Sequence, residues 1–106
     1  MKLTPLVGVG ADAISLCMSC GRLLVSEMWP LVRALLSGTI VVSVAEVAAA
    51  VKSLAGRNRV VAEGAGAAAL AAALKGSLKG QRIVCIVSGG NIDTEVFASI
   101  LRGAVP

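Results

Sequence analysis

The chain has 106 residues, 57% hydrophobic and 15% charged, against about 25% charged in an average domain. It carries ten Lys+Arg against six Asp+Glu, a formal net charge of +4, with no histidine, three cysteines, one Trp, one Phe and no Tyr. This inventory excludes a Ser-His-Asp or Cys-His machinery, a Cys/His or four-thiolate zinc site, and an aromatic platform for nucleic-acid bases.

No uncharged run reaches the about 18 residues that a membrane-spanning helix needs. Pro5 and Asp12 break the apolar run near the N-terminus, which argues against a signal peptide. The sequence therefore predicts a soluble, cytoplasmic protein with no nucleic-acid and no membrane partner. Its length fits a single domain, residues 1–106, able to bury roughly 65% of its unfolded surface. A surface this short of charge predicts apolar contact with a second copy of the chain or with a complementing domain.

In chain order, residues 3–9 are apolar and β-leaning, with Pro5 marking an edge or a strand start. Gly8-Val9-Gly10-Ala11-Asp12-Ala13 has the G-x-G-x-x-A form of a dinucleotide-binding turn. The strand before it is short and the next acid, Glu27, is poorly spaced, so the segment is read as a plain Gly-rich turn. Residues 11–26 fit a weak helix or an irregular segment. Within them, the C-x-x-C of Cys17 and Cys20 has a redox spacing but reads as two small apolar residues near a helix.

Pro30 suits the first turn of a helix, and Leu31, Val32, Leu35 and Leu36 follow at helical spacing until Ser37-Gly38. The β-branched run at residues 39–43 predicts a buried strand. Ser43 and Glu46 make a capping box for a helix over residues 44–54, with Val47, Val51 and Leu54 on one face and Gly56 and Asn58 closing it. After a short mixed segment, Gly64-Ala65-Gly66 leads into an alanine-rich helix to about Lys75, slim enough to approach its neighbours closely. Residues 81–87 end in five consecutive apolar residues, the pattern of a strand covered on both faces, with Cys85 in the core. A last helix begins at Asp93 or Thr94 and ends at Leu101. Strands alternating with helices predict an α/β fold with a small, parallel sheet. Two or three strands make a thin sheet, which again points to a larger whole.

Two places could carry chemistry. Ser88 stands where the apolar run stops, followed by Gly89, Gly90 and Asn91. In open α/β sheets ligands bind beyond the C-terminal ends of strands, and glycines permit a close approach that a Cβ blocks. A tight strand-to-helix turn, with Asn91 bonded to backbone and Asp93 or Thr94 as cap, explains the same residues structurally. Glu63 precedes Gly64 at the start of a helix, where negative charge is favoured and where a plain structural cap is the simpler reading.

Val60-Val61-Ala62-Glu63-Gly64-Ala65-Gly66-Ala67, followed by Ser88-Gly89-Gly90-Asn91-Ile92-Asp93, resembles the C-terminal part of threonine dehydratases. These are pyridoxal-phosphate enzymes of the tryptophan-synthase-β class, close to serine racemase. The resemblance covers about residues 27–101; residues 1–26 match poorly and 27–106 form the dehydratase-like segment. It implies part of the large domain of a fold-type II enzyme, with pyridoxal phosphate as cofactor and an amino acid as small-molecule partner; core surface exposed by truncation predicts a homo-oligomer or a complementing domain. It places Ser88 at the pyridine nitrogen, Gly89 and Gly90 against the ring edge, Glu63 beside the ring and Asn91 in support of the turn. The family's catalytic lysine, in an N-terminal Ser-x-Lys type motif, and its phosphate-cradling run of glycines find no counterpart in context at Lys2, Lys52, Lys75 or Lys79. The expectation is thus a truncated or split piece of a threonine/serine dehydratase-like ammonia-lyase, not competent alone, with pyridoxal phosphate as the family's cofactor, its binding by this chain alone left open, and its catalytic residues unknown. Two alternatives stand beside it: a non-catalytic assembly or binding module, and a small hydrolase with new chemistry on Ser88 or a cysteine.

Overall fold

The computed structural model describes residues 6–9, 30, 34, 39–76 and 82–106. Strands β1 (Leu6–Val9) and β2 (Thr39–Val42) pair in parallel, with Leu6 opposite Thr39 and Val9 opposite Val42. The β-branched TIVV of β2 favours this extended pairing. Pro30 and Ala34 are helical, as the Pro30 signal predicts.

Helix α1 (Val44–Ser53) begins with the capping box read from the sequence. The Ser43 hydroxyl accepts from the Glu46 amide at 3.2 Å, and the Ser43 amide donates to Glu46 Oε2 at 2.6 Å. The helix widens into a π-type turn, Leu54–Asn58. Gly56 and Asn58 do not close it; Arg59 does, in the left-handed region at φ 59°. The Val60 amide donates to the Leu54 carbonyl at 3.1 Å, and the Arg59 guanidinium reaches the Gly56 carbonyl at 2.5 Å. Helix α2 (Gly64–Leu74) and helix α3 (Thr94–Leu101) complete the described elements. Asp93 caps α3, accepting from the amides of Glu95 at 2.9 Å and Val96 at 3.2 Å.

The core lies between α1 and α2, with α3 against α1 and β2 beneath α2. It gathers Val42, Val47, Val51, Leu54, Ala67, Ala71 and Ile100. The largest fully buried side chains are only Val42 and Val51. Small side chains bury little area each, so close approach of α2 compensates in dispersion contacts. Among the described residues, one ion pair ties the layers: Lys75, at the end of α2, meets Glu46 Oε1 at 3.1 Å and the Val41 carbonyl at 3.1 Å. The hydrogen bonds from the Ser43 backbone and from Lys75 hold the Glu46 carboxyl below the usual carboxylate range.

The structure corrects the sequence in one place that matters for the fold. Residues 82–87 form no strand, and Val84 and Ile86 are 85% and 76% exposed. A strand exists through its ladder, and no described segment pairs with this one. Cys85 is half-buried rather than core, its Sγ lying 3.6 Å from the Ala69 carbonyl of α2. The described residues are thus α-rich, and their one ladder pairs β1 with β2, without the expected strand at residues 82–87. Among them, no helix is long and apolar enough to cross a membrane. Residues 10–13, Cys17 and Cys20 lie outside the described residues.

Candidate functional site

The two segments singled out in the sequence meet. Glu63 is extended, at φ −75° and ψ 167°, immediately before α2. Its amide donates to the Gly89 carbonyl at 2.9 Å. Ser88-Gly89-Gly90-Asn91 therefore lies across the first turn of α2. The turn closes on itself through the Ile92 amide, which donates to the Gly90 carbonyl at 3.0 Å.

The glycines have a steric reason. A Cβ on Gly89 would run into the Glu63 carboxylate, with Cδ at 3.0 Å. A Cβ on Gly90 would stand 2.8 Å from the Val61 carbonyl. What comes close to the tip of the apolar run is therefore the chain's own 61–63 segment. Gly66 belongs to the same contact, because a Cβ there would lie 2.5 Å from the Gly89 carbonyl oxygen. The sequence motif contained Gly66, but the helix propensity of its neighbours hid its role. Its signal was a glycine inside an otherwise alanine- and leucine-built helix, where it costs about 1 kcal/mol relative to alanine.

Glu63 does not cap α2 with its side chain, so the simple capping explanation is set aside. Glu63 is half-buried, its carboxylate lies against Gly89, and the residue lines a cleft of about 320 Å³. Asn91 and Asp93 line the same cleft, and its walls are the apolar Val47, Val51 and Val96. Ser88 is exposed, Gly89 half-buried, and Gly90 and Asn91 exposed. Asn91 makes no side-chain bond to the turn among the described residues, contrary to the backbone role expected of it. Among the described residues no group of His, Cys, Asp and Glu could hold a metal ion.

Ser88 stands exposed beside Gly89, whose missing Cβ makes room for the Glu63 carboxylate, so the residues that the resemblance assigns to the cofactor ring are neighbours. The bare Ser-x-Lys spacing does occur once, in Ser77-Leu78-Lys79, downstream of Glu63 rather than in the N-terminal part. It lies outside the described residues.

Residues 5–89 match the family described as pyridoxal-phosphate dependent enzyme. The match takes in most of the N-terminal segment that the paired motifs left unassigned. The chain is 37% identical over 80 residues to the L-threo-3-hydroxyaspartate ammonia-lyase of a Pseudomonas species, covering 74% of this chain and 25% of that protein. It is 38% identical over 81 residues to the L-threonine ammonia-lyase of Geobacter sulfurreducens, covering 73% and 20%. It is 44% identical over 76 residues to the catabolic L-threonine dehydratase of Escherichia coli K12, covering 68% and 23%. The chain thus spans about a quarter or less of the length of these curated relatives. A family match over residues 5–89, most of the chain, makes this chain a member of the pyridoxal-phosphate dependent enzymes.

Proposed function

We propose that the chain supplies the pyridine side of a pyridoxal-phosphate site in an ammonia-lyase acting on hydroxy amino acids such as threonine or serine. The parent reaction converts such an amino acid to a 2-keto acid and ammonia. The observation that carries this reading is the docking of the Ser88-Gly89-Gly90 turn on Glu63 at the start of α2. When bound, pyridoxal phosphate supplies the electron sink for bond cleavage at the substrate α-carbon. Ser88 offers its hydroxyl to the pyridine nitrogen, and a neutral partner leaves that nitrogen largely unprotonated. Gly89 and Gly90 keep the turn close enough to α2 for Glu63 to sit beside it. Glu63 places the ring, and Asn91 lines the neighbouring cleft.

The covalent half of the site comes from elsewhere in this reading. The same reading explains residues 82–87: they become a strand in the larger parallel sheet of a fold-type II domain once a neighbour covers them. Exposed Val41, Leu74, Val84 and Ile86 support a homo-oligomer or a complementing domain. Light scattering showing a clean monomer, with Ile86→Lys no different, would remove the assembly.

Titration of the protein with pyridoxal phosphate, followed by visible absorbance, tests the cofactor reading. Saturable binding is expected, weakened about fivefold in Ser88→Ala, the loss of roughly one neutral hydrogen bond. No saturable binding, or equal binding by the variant, overturns it. Borohydride reduction and mass spectrometry of the same samples decide the lysine question. A single modified lysine, Lys79 included, would show that this chain holds the cofactor covalently by itself.

A further inference from the structure

We propose that Gly66 is a positioning residue for Ser88. It is the point on α2 where the missing Cβ lets the Gly89 carbonyl rest on the first turn of the helix. This rests on the reading that Ser88 serves the cofactor, and it assigns a role to a residue that touches neither the cofactor nor the substrate.

Three observations converge on it. The Gly89 carbonyl accepts from the Glu63 amide at 2.9 Å, so its place is fixed by a bond as well as by contact. A methyl on Gly66 would stand 2.5 Å from that oxygen and 3.0 Å from the Gly89 nitrogen. Cβ atoms essentially never approach closer than 3.0 Å, so the carbonyl would retreat by at least 0.5 Å. The obstacle is backbone, which cannot rotate aside as a side-chain tip can. Gly66 is buried and its helix neighbours Ala67 and Ala71 are packed in the core, so the helix has no free space to back into. The movement therefore falls on the turn, and Ser88 is the residue joined directly to Gly89. Gly64, two residues earlier, is the natural control: a Cβ there meets only Val47 Cγ1 at 3.5 Å, an ordinary contact.

The test uses the full chain, isotope-labelled, with Gly66→Ala and Gly64→Ala. In the unsubstituted protein the Glu63 amide should be protected from hydrogen exchange. In Gly66→Ala its exchange should rise at least about tenfold and the resonances of residues 88–90 should move. Those of Val47 and Val51 in α1 should stay in place. Pyridoxal phosphate affinity should fall about fivefold in Gly66→Ala and fall no further when Gly66→Ala is added to Ser88→Ala, because one route is already lost. Gly64→Ala should leave exchange, resonances and affinity unchanged. Unmoved resonances at 88–90 in Gly66→Ala, or additive losses in the double variant, overturn the proposal. If the unsubstituted protein binds no pyridoxal phosphate, the functional reading fails while the exchange measurements still decide whether Gly66 places Ser88. If Gly66→Ala does not fold, an unprotected Glu63 amide in the unsubstituted protein overturns the proposal by itself.

Discussion

Helices α1 and α2 and residues 82–87 are both strongly apolar, yet they end in opposite states. The helices bury Val47, Val51, Leu54 and a row of alanines completely or nearly so. Residues 82–87 leave Val84 and Ile86 in the open. The difference lies in where the backbone hydrogen bonds go. A helix satisfies its own N–H and C=O groups and needs a neighbour only for its apolar stripe. A strand needs a neighbour for its backbone as well as for both faces. Apolar sequence alone does not create a core; it creates a demand that something else must meet.

Matched truncations would break this contrast if it is wrong. Leu54→Ala removes a buried side chain and should cost about 3 kcal/mol in denaturant unfolding. Ile86→Ala removes a larger-looking but exposed side chain and should change stability by less than about 0.5 kcal/mol. Equal costs would mean that residues 82–87 are covered in solution, and oligomeric state would then tell by what.

The ends of the helices sharpen the comparison on a smaller scale. Ser43→Ala removes the capping-box hydroxyl of α1, and Asp93→Ala removes the cap of α3. Each should lower stability by about 1 kcal/mol in thermal or urea unfolding. An effect at Ser43 and none at Asp93 would show that α3 contributes little to the cooperative unit. Gly64→Ala should then raise stability, by up to about 1 kcal/mol, since alanine is the better helix former and space is available. A loss instead would mean that the Val47 contact is tighter than it looks.

Acid should weaken the Ser43–Glu46–Lys75 cluster as Glu46 takes up its proton. The Glu46 carboxyl is held below its ordinary range by the Ser43 backbone bond and by Lys75. A depressed folded-state pKa contributes stability that is present above the unfolded-state value and is lost as the pH falls through the folded one. Glu46→Gln should therefore lower stability at neutral pH and flatten the acid limb of its pH dependence. A parallel limb in the variant would assign the acid sensitivity to another carboxylate.

The functional site was legible in part for local reasons. Glu63, Ser88, Gly89 and Gly90 stood out as a glutamate before a Gly-rich helix start and a hydroxyl before two glycines. Their role with a cofactor remains the reading set out above, but their meeting is a fact of the fold. The two glycines announce a close approach, and the segment that approaches them in the structure is Val61 to Glu63. Gly66 escaped notice because nothing local distinguishes it from Gly64; the difference is a carbonyl arriving from 23 positions further along the chain.

Sequence by itself determined the helices, the capping box at Ser43 and the cap at Asp93. Each depends on propensities and hydrogen bonds between residues no more than a few positions apart. Tertiary structure alone decided that residues 82–87 pair with no described strand and that Gly66, Gly89 and Glu63 interlock. Those outcomes turn on which distant backbone arrives within 3 Å of a given atom, and no local pattern of residues encodes that distance.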